Sequence, residues 1–274
     1  MITLTLLNGR FFAQNYLAMS PESHTFIALV VSFLLVSRVQ IALSRYWTAR
    51  YSLSDMCRAS REIVDNACLF TRENTDDSSK EWRHELAYRS LILLRTTMAV
   101  TDFPTTKMPA WSVPELNGNE LEDVESAIFV ETQLNRFSQT PDAEHSVWQE
   151  TMRVPICLAY LLRKTVHSQE KRLLYPTSFA HKMHENIDSF IKGYYEMRSF
   201  STTPVPFPLV QMARTFLFLF VFSLPFVVLM DDGSGAIAHY IAVFVMTFGF
   251  VGLEFVAIEL DDPFGDDPND FDNE

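Results

Sequence analysis

The chain ends in a block of carboxylates, ELDDPFGDDPNDFDNE at residues 259–274, whose residue types could bind a cation. Closely spaced Asp side chains and backbone carbonyls supply the hard oxygen ligands that Ca²⁺ prefers, in sets of about six to eight. The EF-hand pattern is not met, because Gly265 stands at the wrong position. The alternative is a solvated or salt-bridging tail, although Pro263 and Phe264 favour a turn that docks against the protein.

Other residues that could do chemistry are sparse. His181 and His184 lie one helical turn apart in HKMHE and could share a metal, but without the carboxylates of a helical di-metal motif we interpret them as a solvated face. The sequence has no phosphate-binding glycine loop and no nucleophile elbow. It also lacks a pair of histidines across its apolar segments, which a membrane haem enzyme would need. We therefore predict that the protein is not an enzyme.

The negative charge of the chain is local. The formal net charge is -12, yet nine acids and no Lys or Arg follow Leu253, so the first 253 residues carry only -3. This distribution contains no basic footprint of the kind that binds nucleic acid.

Long apolar segments must position the acidic end. Residues 25–44, 215–230 and 235–253 are strongly apolar, and the last two are separated only by the polar turn DDGSG. A helix needs about 20 apolar residues to cross a bilayer, and the last two segments reach this length when their apolar flanks are included. We predict a transmembrane hairpin, the alternative being a buried helical pair in a soluble protein.

The rest of the chain reads as amphipathic helix with almost no strand signal, so we predict an all-α integral membrane protein with a large helical part outside the membrane. A short apolar segment lies near residues 154–162. The predicted divisions are an N-terminal segment that is a remnant of a first membrane helix (1–24), a membrane helix (25–44), an extramembrane helical domain (45–200), a proline-rich segment with the hairpin (201–258) and the acidic end (259–274).

The first long apolar segment has two kinds of face. At 100° per residue, one arc of about 80° contains five residues: Leu29, Phe33, Ser37, Gln40 and Ser44. Its side chains change from apolar to small and polar along the helix. A ring of identical helices would then form an apolar constriction that opens into a wetter vestibule. The alternative is a helix–helix seam that contains small residues.

Charged residues mark the other side of this helix. Arg38 and Arg45 lie together, nearly opposite the five-residue arc. Glu254 interrupts the apolar run FVGLEFVAIEL and can pair with Arg38 or Arg214. Ionisable groups at membrane depth need such partners. We predict structural ion pairs there, with a salt bridge between subunits as the leading interpretation.

The stretch STTPVPFPLV, residues 201–210, contains three prolines directly before an apolar segment. Proline fixes φ and removes a backbone donor, so we predict that this stretch is not ordinary helix. It could line a water-filled passage, or it could be a proline-rich helix start outside the membrane.

Four stretches in this order resemble the bestrophin family of pentameric anion channels. They are SRVQIALSRYWTAR (37–50), GYYEMRSF (193–200), TTPVPFPLVQMARTFLFLFVFSLP (202–225) and ELDDPFGDDPNDFD (259–272). The resemblance implies a homopentamer in a lipid bilayer that conducts chloride, bicarbonate or other monovalent anions through one central pore. A membrane-anchored, calcium-responsive scaffold without conductance is the alternative.

The resemblance also implies roles for particular residues. The pore neck would be formed by Leu29, Phe33 and Ser37, with Ser37 departing from the large side chain that is usual in the family. The cytosolic aperture would fall at Thr203, with Val205 beside it.

A calcium site is implied at the acidic end. Its ligands would be the carbonyls of Glu259 and Asp262 and the carboxylates of Asp267 and Asp270. The family adds a carbonyl from the N-terminus of an adjacent subunit, before an additional first helix. Either this sequence is truncated or residues 1–20 replace that helix, and we expect an incomplete site. The plant and algal members that the sequence resembles lie in thylakoid membranes. The resemblance therefore implies a thylakoid location for this protein, with the plasma membrane as the alternative.

Overall fold

A computed structural model describes residues 21–116, 118–119, 121–122, 124, 143–168, 177–228, 236–261 and 263–264. Within these residues every regular element is a helix, which confirms the predicted all-α fold. The α-helices are α1 (Pro21–Phe70), α2 (Asp77–Thr106), α3 (Ala143–Thr151), α4 (Val154–Ser168), α5 (Thr177–Thr202), α6 (Phe207–Val228) and α7 (Ala236–Asp261), and a 3₁₀ turn covers Ala110–Ser112.

Helix α1 is 50 residues long and continues well past the apolar segment that predicts it. Its sequence starts with Pro21 at the first helical position and then contains neither Gly nor Pro, so nothing interrupts it. Its end is closed by side chains. Arg83 donates to the carbonyl and the hydroxyl of Thr71 at 3.0 and 2.8 Å, and the Thr71 hydroxyl donates to the Ala67 carbonyl at 2.7 Å.

The described residues form two compact units. The first lies within the ranges Met1–Trp47 and Pro204–Pro263, and the second lies within the ranges Thr48–Thr203 and Phe264–Glu274. The first unit contains the early part of α1 together with α6 and α7. Its core is an apolar seam between α1 and α6, formed by Val31, Leu35, Leu217, Phe220 and Leu224. Burial of these aliphatic and aromatic side chains stabilises the three-helix arrangement.

The second unit contains the later part of α1 and helices α2 to α5, with α2 packed on α4 and α4 on α5. Two buried polar side chains are satisfied by backbone carbonyls in its core. Trp82 Nε1 donates to Thr165 O at 3.1 Å, and Tyr194 Oη donates to Met152 O at 2.6 Å. The apolar segment near residues 154–162 is mostly buried here as part of α4, so it is a core helix.

The proline-rich stretch separates α5 from α6, but the break is shorter than the predicted 201–210, because residues 201–202 and 207–210 are helical. Residues 203–206 lie outside any helix, and the Thr203 N–H donates to Ser199 O at 3.0 Å to close α5. Helix α6 then starts from the Pro206 carbonyl, which accepts from the N–H groups of Leu209 and Val210 at 3.0 and 3.3 Å. Pro208 falls in the first turn, where a missing N–H removes no helical hydrogen bond.

Among the described residues, three helices are long and apolar enough to cross a membrane: His24–Phe70, Phe207–Val227 and Ile237–Asp261. They coincide with the three long apolar segments of the sequence. The turn predicted at residues 231–235 lies outside the described residues.

Candidate pore helix and buried charge cluster

The two faces predicted for the first apolar segment differ sharply in burial. Leu29 and Phe33 are 67% and 70% exposed. On the opposite side of α1, Val31, Leu35 and Ala42 are fully buried. The helices of this chain therefore cover the back of α1 and leave the predicted neck face open.

The open face changes character along α1 in the way the sequence predicts. Leu29 and Phe33 are followed on the same arc by half-buried Ser37 and then by exposed Gln40 and Ser44. None of these side chains is charged. Two large apolar side chains held open on a membrane-length helix require cover from lipid or from another chain.

A cluster of charged side chains lies behind this face, and all of it belongs to the first unit. Arg38 is 2% exposed, with its Nε 3.0 Å from Glu254 Oε2 and its Nη2 3.4 Å from Asp261 Oδ2. Arg214 Nε donates to Glu254 Oε1 at 2.7 Å. Arg45 is near enough to Asp261 to attract it electrostatically. We call these five residues the charge cluster.

The charge cluster corrects one prediction and adds one residue. Glu254 was expected to pair with Arg38 or Arg214 in a bridge between subunits, whereas it pairs with both inside a single chain. Asp261 was not predicted as a member. Its signal in the sequence is its spacing, because a carboxylate seven residues after Glu254 lies two turns along the same face of α7.

Burial makes the charge cluster sensitive to its composition. A buried ion pair is tolerated because each charge has its partner, and removing one partner leaves an uncompensated charge. The 3.0 Å contact between Arg38 and Glu254 does not have hydrogen-bond alignment, and Arg38 Nη1 has no hydrogen-bond partner among the described residues. Arg38 is therefore held mainly by the two nearby carboxylates.

The predicted aperture residues lie in the proline break between α5 and α6. Thr203 is exposed and Val205 is half-buried. Thr203 belongs to the second unit and Val205 to the first.

The acidic end is described only at its beginning. Glu259 is half-buried near the end of α7, while Asp262, Asp267 and Asp270 lie outside the described residues. In the part of the chain that the structure describes, no group of three or more His, Cys, Asp or Glu residues is placed to hold a metal ion. Phe264 is 5% exposed, so the chain docks at this residue, as predicted.

His181 lies on an exposed face, as predicted for both histidines, whereas His184 is half-buried. The His181 imidazole is 77% exposed, and its Nε2 lies 3.4 Å from Glu185 Oε1, one turn further along α5.

Comparison with known proteins gives the family. A family model described as Bacterial/Fungal Bestrophin protein matches residues 1–272. Two curated relatives, from Salmonella typhi and Salmonella typhimurium, are each described as voltage-dependent anion channel-forming protein YneE. Each is 34% identical over 73 residues, which is 26% of this chain and 22% of the relative. The match therefore spans less than a quarter of the length of these curated relatives.

The fold is similar to solved structures along almost the whole chain. Two mutant structures of a bacterial Bestrophin homolog from Klebsiella pneumoniae each align with a TM-score of 0.68 and 16% identity, covering 99% of this chain and 88% of the solved chain. At this identity the likeness concerns the fold. Since the family model covers nearly every residue, the chain belongs to the bacterial/fungal bestrophin family.

Proposed function

We propose that this protein is an anion-selective channel in which α1 from five copies surrounds one central pore. The observation that carries the proposal is the open face of α1, where Leu29 and Phe33 are exposed on a membrane-length helix. Its family and its anion channel-forming relatives support the same function. A pore lining accounts for the change from apolar to polar side chains along this face.

Ions would cross the neck at Leu29, Phe33 and Ser37 and then reach a vestibule lined by Gln40 and Ser44. Apolar rings gate by dewetting, so an ion that loses part of its hydration easily passes more readily. The face contains no carboxylate, and so it offers nothing that would favour a cation. Weakly hydrated monovalent anions such as chloride fit this arrangement, with bicarbonate as a further candidate.

The aperture would lie at Thr203 and Val205 and would be partly polar. A hydroxyl can donate a hydrogen bond to a passing anion without binding it tightly. Conduction needs such weak interactions, because a strong site would hold the ion.

Calcium regulation and the identity of the membrane stay predictions. Glu259, Asp262, Asp267 and Asp270 would hold the ion through oxygen ligands, which is the chemistry that Ca²⁺ requires. No step of the proposed conduction depends on it.

The experiment is a recording of the purified protein in planar bilayers under asymmetric chloride, with and without micromolar calcium. We expect a reversal potential close to that of chloride. A cation-selective reversal potential would contradict the proposal. Absence of conductance in both conditions would favour the calcium-responsive scaffold, and a calcium-dependent current would support the acidic end as its sensor.

A further inference from the structure

We propose that Glu254 is a positioning residue for the pore: through Arg38 it fixes the rotation and height of α1, so that the neck face points at the axis. The inference rests on the proposed function and adds to it a residue that never contacts the permeating ion.

The first step is the place of Arg38 on α1. Arg38 directly follows the neck residue Ser37, yet it lies on the buried back of the helix with Leu35 and Ala42. At 100° per residue it lies about 180° from Leu29. Any rotation of α1 that moves Arg38 therefore turns the neck face by the same angle.

The second step is the contrast between two kinds of contact on this back face. Val31 and Leu35 pack against the apolar residues of α6. Such burial is non-directional, and it tolerates small sliding or rotation with little loss. Ion pairs between guanidinium and carboxylate groups depend on distance, and two contacts of the charge cluster, Arg214–Glu254 and Arg38–Asp261, also have the alignment of hydrogen bonds. The charge cluster is therefore the element in the described first unit that can specify one register.

The third step is the shape of the charge cluster. Glu254 and Asp261 are seven residues apart, so their Cα atoms are about 10.5 Å apart along α7. Arg38 reaches both carboxylates, at 3.0 and 3.4 Å. A shift of α1 along its axis in either direction would lengthen one of these two contacts.

The fourth step identifies Glu254 as the shared member. Its two carboxylate oxygens engage different helices, Oε1 with Arg214 on α6 and Oε2 with Arg38 on α1. One side chain on α7 thus connects all three helices of the first unit. Asp261 reaches Arg38 and attracts Arg45, both of which lie on α1.

The test compares Glu254→Gln with Leu35→Ala in reconstituted full-length protein. Both changes weaken the back of α1, but only the first removes directional contacts. Two quantities are measured: the Tm of the assembled protein, and the gluconate-to-chloride permeability ratio from reversal potentials. We expect both variants to lower the Tm, and only Glu254→Gln to raise the permeability ratio, because the neck is then less well aligned.

A conservative variant provides the check if Glu254→Gln does not assemble. Arg214→Lys keeps the positive charge beside Glu254 but loses the fixed geometry of the guanidinium. We expect a smaller rise of the permeability ratio in the same direction, and a value equal to that of the wild type would overturn the proposal.

The other outcomes separate the two proposals. A wild-type protein without anion conductance overturns the proposed function and this inference with it. A conducting wild type, with the permeability ratio unchanged in Glu254→Gln or raised equally in Leu35→Ala, overturns the positioning role alone.

Discussion

The ring of Phe264 packs edge-on against the ring of Phe200 in the last turn of α5, with centroids 5.9 Å apart and planes inclined at 77°. Phe264 lies three residues beyond the end of α7 and is part of the core of the second unit. Phe264 therefore anchors the acidic end of the chain in the core of the second unit. Pro263 beside it is also buried.

Replacing Phe264 by Ala should destabilise the protein markedly. Loss of a buried Phe side chain costs about 3–5 kcal/mol through lost burial and the remaining cavity. The measurement is thermal unfolding of the detergent-solubilised protein. Tyr160→Ala is the control, because Tyr160 is 67% exposed in the same unit and should change the Tm little. Equal Tm values for wild type and Phe264→Ala would contradict the docked placement.

Gly193 marks a close crossing between α5 and α1, and Gly193→Ala should be destabilising. An added Cβ would lie 2.9 Å from Met56 Cγ and 3.0 Å from the backbone oxygen of Ser52. The Met56 side chain can move, but the Ser52 carbonyl belongs to a continuous helix, so the cost is about 1–3 kcal/mol.

The matched control for this substitution is Gly249→Ala in α7, where, among the described residues, no side chain and no other helix lies within 4 Å of the added Cβ. There the higher helix propensity of Ala should stabilise the helix by up to about 1 kcal/mol. Opposite signs of the Tm shift in the two variants are the expected result. A stabilised Gly193→Ala variant would show that the two helices do not cross there.

Tyr194→Phe should cost about 1 kcal/mol, because the buried carbonyl of Met152 loses its donor. Burial also raises the pKa of the Tyr194 phenol above its ordinary value. The unfolded phenol ionises near pH 10, before the folded one. The stabilisation by Tyr194 is therefore complete below pH 10 and declines as the pH rises further.

The measurement is the difference in unfolding free energy between wild type and Tyr194→Phe across this pH range. We expect the difference to be constant at neutral pH and to shrink above pH 10. A constant difference up to pH 12 would contradict the raised pKa.

Local chemistry explains which features the sequence predicts well. The two faces of α1 follow from helical periodicity, because the spacing of residues along a helix determines on which side of the helix each residue lies. The break at residues 203–206 follows from prolines that lack N–H groups. The docking of Phe264 follows from a large apolar ring placed among carboxylates.

Other features depend on how helices pack, which spacing alone does not specify. The sequence predicts a membrane helix at 25–44 and further helix after it, but not that both form one unbroken helix to Phe70. Glu254 forms ion pairs with both Arg38 and Arg214. This requires that α1 and α6 bring the two guanidinium groups to the same level along α7. The choice between a bridge within one chain and a bridge between subunits depends on the same geometry.

The neck itself gives the last prediction. Phe33→Ala removes a large apolar side chain that is 70% exposed on the open face of α1, so it should barely change the Tm. In the proposed pentamer, five phenyl rings would disappear together, which would widen and wet the constriction. We expect a larger single-channel conductance and weaker discrimination among anions. Leu219→Ala is the control, because Leu219 is 59% exposed on α6, a helix that contributes no residue to the proposed neck.

The two variants distinguish a pore from a lipid-facing surface. If α1 faces lipid at Phe33, both substitutions should leave the conductance unchanged, because neither side chain would contact an ion. If Phe33 lines the neck, only Phe33→Ala should alter it.

The same recording on Ser37→Phe, which restores a large side chain at the third neck position, should reduce the conductance, because an apolar ring there raises the dehydration barrier.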